Sequence, residues 1–122
     1  MKILLIEDDL FFRKFYVEKL REKGFEIDEA SNGEEGLGKM ASFKPDIVVL
    51  DMIMPVKDGF DFLQDIKNDS KYKKIPILVF STLGQESDVA KAKQLGATDF
   101  VNKSLFDFDK LLMKINSIIN KK

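Results

Sequence analysis

Short apolar runs alternate along this chain with longer stretches in which apolar residues recur every three or four positions. Ile3 to Ile6 and Ile47 to Leu50 are unbroken apolar runs, short enough to be strands buried on both faces, as in a parallel sheet. Residues 2–6 are read as the first strand and 10–23 as a helix with Phe12, Phe15, Tyr16 and Leu20 near one face and Gly24 as its stop. Residues 25–29 alternate apolar and acidic, as in a half-exposed strand near a sheet edge. Asn32 with Glu35 resembles a capping box, followed by Leu37, Met40 and Ala41 at helical spacing, until Pro45 ends the connection before a third strand at 46–50. Asp58-Gly59 opens a third helix with Phe60, Leu63 and Ile66 inward and Asp61, Asp65 and Lys67 outward. Ile75 to Phe80 is the fourth strand, about 86–95 a helix with Val89, Ala92 and Leu95, 98–101 the fifth strand, and about 107–120 the last helix, with Phe108, Leu111, Leu112, Ile115 and Ile119 on one face.

Strict strand–helix alternation with helix-length crossovers gives a parallel sheet covered on both faces. Two five-stranded orders of such an α/β sheet are common; the expectation taken here over residues 1–122 is the doubly wound five-stranded parallel sheet in the order 2-1-3-4-5, a flavodoxin-like three-layer sandwich. In that order the crevice between strands 1 and 3 opens at their carboxyl ends. There the chain places Glu7-Asp8 and Asp51. Pro55 disfavours helix at residue 54, so an extended loop follows Asp51.

Composition narrows the chemistry. The 44% hydrophobic and 34% charged content is that of a globular domain, and a net charge of −1 gives no electrostatic case for nucleic acid or a membrane surface. Acids follow the first apolar run where a signal peptide would continue, so the chain is read as cytoplasmic. Cys and His are both absent, which removes thiol nucleophiles, imidazole acid–base chemistry and the usual zinc sites.

Strand 4 ends at Ser81 and strand 5 at Lys103. The crevice thus gathers Glu7, Asp8, Asp51, Ser81 and Lys103. Two like charges about 4 Å apart repel by about 4 kcal/mol at an effective dielectric of about 20, so clustered carboxylates call for a cation. An all-oxygen, partly open donor set suits Mg²⁺. An acceptor oxygen, a metal and a hydroxyl and an ammonium for the equatorial oxygens are the parts of phosphoryl transfer, with Asp51 the candidate acceptor. A lone strand-end Asp is more often a turn former or cap, and Asp9 and Asp58 are read as helix N-terminal residues.

Ile6-Glu7-Asp8-Asp9, Val49-Leu50-Asp51-Met52-Ile53-Met54-Pro55 with Asp58-Gly59, Val79-Phe80-Ser81-Thr82, and Gly96 through Lys103 together resemble the receiver domain of two-component response regulators over the whole chain. The resemblance implies a phosphorylation-activated signalling switch, not a metabolic enzyme. Asp51 would accept a phosphoryl group from a sensor histidine kinase or phosphotransfer protein. Asp8, Asp51 and the Ile53 backbone carbonyl would bind Mg²⁺ (Mn²⁺ in its place), and Glu7 would act through water. Lys103 would pair with the phosphoryl group or Asp51, Ser81 would move to a phosphoryl oxygen, and Phe100 would turn inward behind it. Those shifts would remodel the face of helix 4, strand 5 and helix 5 for a downstream protein target, the chain being a monomer or a weak homodimer on phosphorylation. The chain is read as carrying no output domain after helix 5, so the signal is expected to leave through another protein or through the chain's own dimerisation.

The chain departs from the pattern in places. Ser104 stands where the family commonly has Pro after the Lys, and a cis bond before a non-proline residue costs about 2.5–4 kcal/mol. That departure gives some weight to a second reading, a receiver-like binding module that signals without phosphorylation. A metal-dependent phosphatase is disfavoured because its usual second Asp is Ile53 here. Ser81 replaces the commoner Thr, and Phe100 the commoner Tyr. Ile53 and Leu83 near the site mouth are apolar and cannot position an attacking water, which points to slow self-dephosphorylation. Leu10 and Phe11 lie off the apolar face of helix 1, where a kinase's phosphotransfer domain approaches in this family.

Overall fold

The computed structural model describes residues 1–82, 85–103 and 108–120. Along it run β1 (Lys2–Ile6), α1 (Leu10–Glu22), β2 (Glu26–Ala30), α2 (Gly33–Phe43), β3 (Ile47–Leu50), α3 (Gly59–Lys67), β4 (Ile77–Ser81), α4 (Glu86–Gln94), β5 (Asp99–Asn102) and α5 (Phe108–Ile119). The strands form one sheet in the order β2-β1-β3-β4-β5, every pair parallel, as the alternation predicts.

The central strands are apolar apart from Lys2 at the start of β1 and Ser81 at the end of β4, because both faces of the sheet are covered. Leu4, Ile6, Val48, Leu50, Ile77 and Val79 point to a layer closed by α2, α3 and α4. Ile3, Leu5, Ile47, Val49, Leu78 and Phe80 point the other way, to α1 and α5. The period-two alternation of a strand splits one apolar run between two cores.

Helix ends follow their caps. Asp9 accepts from the Phe12 amide at 3.0 Å, Asn32 from Glu35 at 2.9 Å and Asp58 from Asp61 at 2.9 Å. Glu35 closes the box one residue early, on the Ser31 amide and hydroxyl, and the Ser31 amide bond holds its carboxyl below the usual range. Gly24 takes a positive φ of 93° after α1, the conformation a side chain would oppose.

Several facings differ from the sequence expectation. In α1 Phe15 is exposed, its ring edge-on to Tyr16, and Val17 is buried instead. In α2 Ala41 faces solvent while Gly36 packs so tightly on Ile6 that an added Cβ would lie 2.5 Å from its Cδ1. In α3 the fully buried aromatic is Phe62, because the inward face runs 59, 62, 63, 66; Phe60 is half-buried under the Lys91 ammonium, 4.4 Å from the ring centroid. β4 starts at Ile77 rather than Ile75, since Pro76 offers β3 only its carbonyl, to the Val48 amide. Among the described residues no helix is long and apolar enough to cross a membrane.

Candidate functional site

The carboxyl ends of β1, β3, β4 and β5 deliver their polar residues to one place. The Asp51 amide donates to the Ile6 carbonyl at 3.0 Å and the Glu7 amide to Ala30 at 2.9 Å, so both acids leave the sheet on hydrogen-bonded backbone. Glu7, Asp51, Ser81 and Lys103 are buried, while Asp8 is exposed. Glu7, Asp8 and Asp51 each bring a carboxylate oxygen within 4.8 Å of the others. An oxygen-only set, open to solvent at Asp8, fits a hard divalent cation.

Asp51 is held from several sides. Its Oδ1 accepts from the Met52 amide at 2.8 Å and the Ile53 amide at 3.4 Å, and the Ser81 hydroxyl donates to its carboxylate. Burial nonetheless pushes its carboxyl above the ordinary range, and the nearby Asp8 charge adds to the rise; the three hydrogen bonds oppose it. Beneath it the backbone closes in: a Cβ on Gly59 would lie 2.6 Å from the Asp51 carbonyl oxygen and 2.7 Å from Met52 Cα. Only glycine fits there.

Lys103 lies in the acid cluster. Its Nζ forms a buried ion pair with Glu7 Oε1 and stands 3.5 Å from Asp51 Oδ2. It also lies over the Phe12 ring, 4.7 Å from the centroid, and 5.9 Å from that of Phe80. Burial lowers its ammonium to about 8. The other Glu7 oxygen, Oε2, accepts from the Asp9 amide at 3.0 Å. Both Glu7 oxygens are therefore engaged by protein donors, while Asp8 stays open.

Glu7, Asp8, Asp51, Ser81 and Lys103, which the sequence places at one crevice, meet there. Lys103, expected to pair with the phosphoryl group or Asp51, stands beside Asp51 and has Glu7 as its closer partner. The sequence carries no signal for the Phe12 ring under Lys103. Phe100 is half-buried on β5, packed toward the α2–α3–α4 layer beside Val79. Ile53 is 53% exposed at the site mouth. Leu10 and Phe11 are exposed, as their positions off the α1 core face implied. Leu83 and Ser104 lie outside the described residues.

Comparison with known proteins finds the same architecture. Residues 3–116 match the family model described as the response regulator receiver domain. The chemotaxis protein CheY of Bacillus subtilis is 37% identical over 120 residues, 98% of each chain. The chain spans about half, 50% and 49%, of the length of two other curated relatives it matches. The structure of chemotaxis protein CheY4 of Vibrio cholerae superposes with a TM-score of 0.89 at 30% identity, covering 95% of this chain and 96% of that one. The Mn²⁺-bound form of another response regulator superposes with a TM-score of 0.84 at 26% identity, covering 99% and 96%.

Proposed function

The chain belongs to the response regulator receiver domain family, and on that premise we propose that residues 1–122 form one phosphorylation-controlled switch whose acceptor is Asp51. The observation that carries this reading is the convergence of Glu7, Asp8, Asp51, Ser81 and Lys103 from four strand ends. The donor is the phosphohistidine of a sensor kinase or phosphotransfer protein. An Asp51 carboxylate oxygen attacks phosphorus; the O–P bond forms as the N–P bond breaks, and the imidazole leaves with the electron pair.

Each side chain has a task in that transfer. Asp8, Asp51 and the Ile53 carbonyl would hold Mg²⁺, or Mn²⁺ as in the metal-bound relative. When bound, the ion supplies positive charge against the carboxylates and the incoming phosphoryl oxygens. Glu7, with both oxygens already engaged, acts through water. Lys103 is close enough to Asp51 to turn its ammonium from the carboxylate to a phosphoryl oxygen. Ser81 releases Asp51 and donates to the phosphoryl group. Phe100 turns inward behind it, and the α4–β5–α5 face changes for a downstream protein. The switch works in the cytoplasm, and its only catalysis is of its own phosphorylation and dephosphorylation.

Intact mass after incubation with acetyl phosphate tests this. One added phosphoryl group is expected with Mg²⁺, and none with Asp51→Asn or without the ion. No addition under conditions that label a known receiver would favour the phosphorylation-independent module.

A further inference from the structure

The edge of the sheet opposite Asp51 carries two grooves that share one wall. The larger, of about 400 Å³, has a floor of Met40, Pro45, Tyr72 and Ile75 between Lys44 and Lys71. The smaller, of about 250 Å³, has Ile66, Ile75 and Leu95 between Lys67 and Lys73. Ile75 is the ridge common to both. An apolar floor with charged groups on the rim is the usual build of a recognition site.

The rim charges are not spent on the protein's own acids. Among the described residues none of Lys44, Lys67, Lys71 and Lys73 is ion-paired. Lys71 Nζ stands 5.5 Å from the Tyr72 ring centroid, and Lys67 Nζ donates to the Gln94 carbonyl at 3.2 Å. Nearby acids are engaged in other bonds: Asp69 accepts from the Lys71 backbone amide at 3.0 Å, Asp46 from the Lys2 amide at 2.8 Å, and Asp65 holds Lys57. Lys44 also stands in a left-handed conformation, φ 55° and ψ 64°, at the end of α2. Glycine or asparagine takes that position at least cost. A lysine there sets an ammonium-bearing side chain on the rim in spite of the backbone penalty.

We propose that this edge docks an acidic peptide segment with two apolar side chains, one in each groove, its carboxylates facing Lys44, Lys67, Lys71 and Lys73. Charge complementarity selects an anion, and the apolar floors select against a bare polyanion. The site is independent of phosphoryl transfer and lies at the other end of every strand.

The test uses ¹⁵N-labelled protein and synthetic ten-residue probes rich in glutamate, with one leucine and one phenylalanine two to four positions apart. Amide shifts are expected in residues 40–46, 66–77 and 94–96. Affinity should fall at least tenfold in Lys44→Glu with Lys71→Glu, and again when the probe's apolar residues become serine. Unchanged melting and unchanged phosphoryl labelling of Asp51 would show the double variant folded. Shifts centred elsewhere, affinity indifferent to either change, or no binding at millimolar probe would overturn the proposal. So would charge-dependent co-sedimentation with phosphatidylserine vesicles in place of peptide binding.

Discussion

Lys103, after β5, reaches across the carboxyl edge to Glu7, after β1, and the two form a buried ion pair between residues 96 apart in sequence. The contact spans β3 and β4, with Asp51 beside it at 3.5 Å. One cation thus answers two buried carboxylates on strands it does not adjoin.

Lys103→Ala removes that cation and strands both acids. Breaking a buried pair from one side costs about 3–5 kcal/mol. Urea unfolding in EDTA should show a loss of this size. Added Mg²⁺ should recover part of it, because a ligand of the native state stabilises by mass action. A variant as stable as the parent in EDTA would mean that Glu7 and Asp51 do not depend on Lys103.

Asp51→Asn should act in the opposite direction. Burial raises the Asp51 carboxyl above its unfolded value of about 4. The native state then binds more protons than the unfolded one, so stability falls as pH rises through the native pKa. Asparagine carries no such penalty. Melting without divalent ions should show the variant more stable near neutrality, with the gap closing toward pH about 4. A gap constant across that range would refute the buried-charge explanation.

Val56→Gly should stabilise the fold by about 1 kcal/mol, the scale of a left-handed backbone on an L residue. Val56 has φ 69° inside a turn closed by the Lys57 amide on the Pro55 carbonyl at 2.8 Å. Its side chain is 84% exposed, so little packing is lost. Chemical denaturation measures the gain, and a loss would show that glycine's extra unfolded-state entropy outweighs the relieved strain.

Phe11→Ala tests docking on α1. Phe11 is 80% exposed beside exposed Leu10 and Phe15, an apolar patch near the site. Transfer from a phosphohistidine protein should slow severalfold, with acetyl phosphate labelling unchanged. Equal slowing with both donors would place the effect in the site itself.

Ile53→Asn puts an amide at the site mouth, where the parent side chain is apolar and 53% exposed. An amide can hold a water by hydrogen bonds. The phosphoryl half-life should shorten severalfold by radiolabel decay, and an unchanged half-life would remove Ile53 as a determinant of lifetime.

The sheet order and the crevice were legible because they rest on strong periodic signals. Ile3–Ile6 and Ile47–Leu50 are apolar without a break, and each ends in acid. Asn32 and Asp58 cap where their side-chain chemistry said they would. Facing within short helices was less legible. Phe60 and Phe62 are equivalent by hydropathy, and only the close seat of Gly59 on Asp51 and Met52 fixes which one turns inward. The Glu7–Lys103 pair was not legible, because parallel topology brings strand ends together without saying which side chain reaches which. The lysines of the opposite edge come from three separate segments and read in sequence as ordinary surface charge.

The parallel sheet has a consequence for communication. A strand such as β4, with 5 residues, runs about 17 Å at about 3.3 Å per residue. That is roughly twice the ~8 Å over which charge is felt through physiological salt. Charge that phosphorylation would add at Asp51 is therefore largely screened, through solvent, from the lysines at the far end. Any message between the two ends must travel as displacement of packed strands and helices, and would keep its strength when salt is raised.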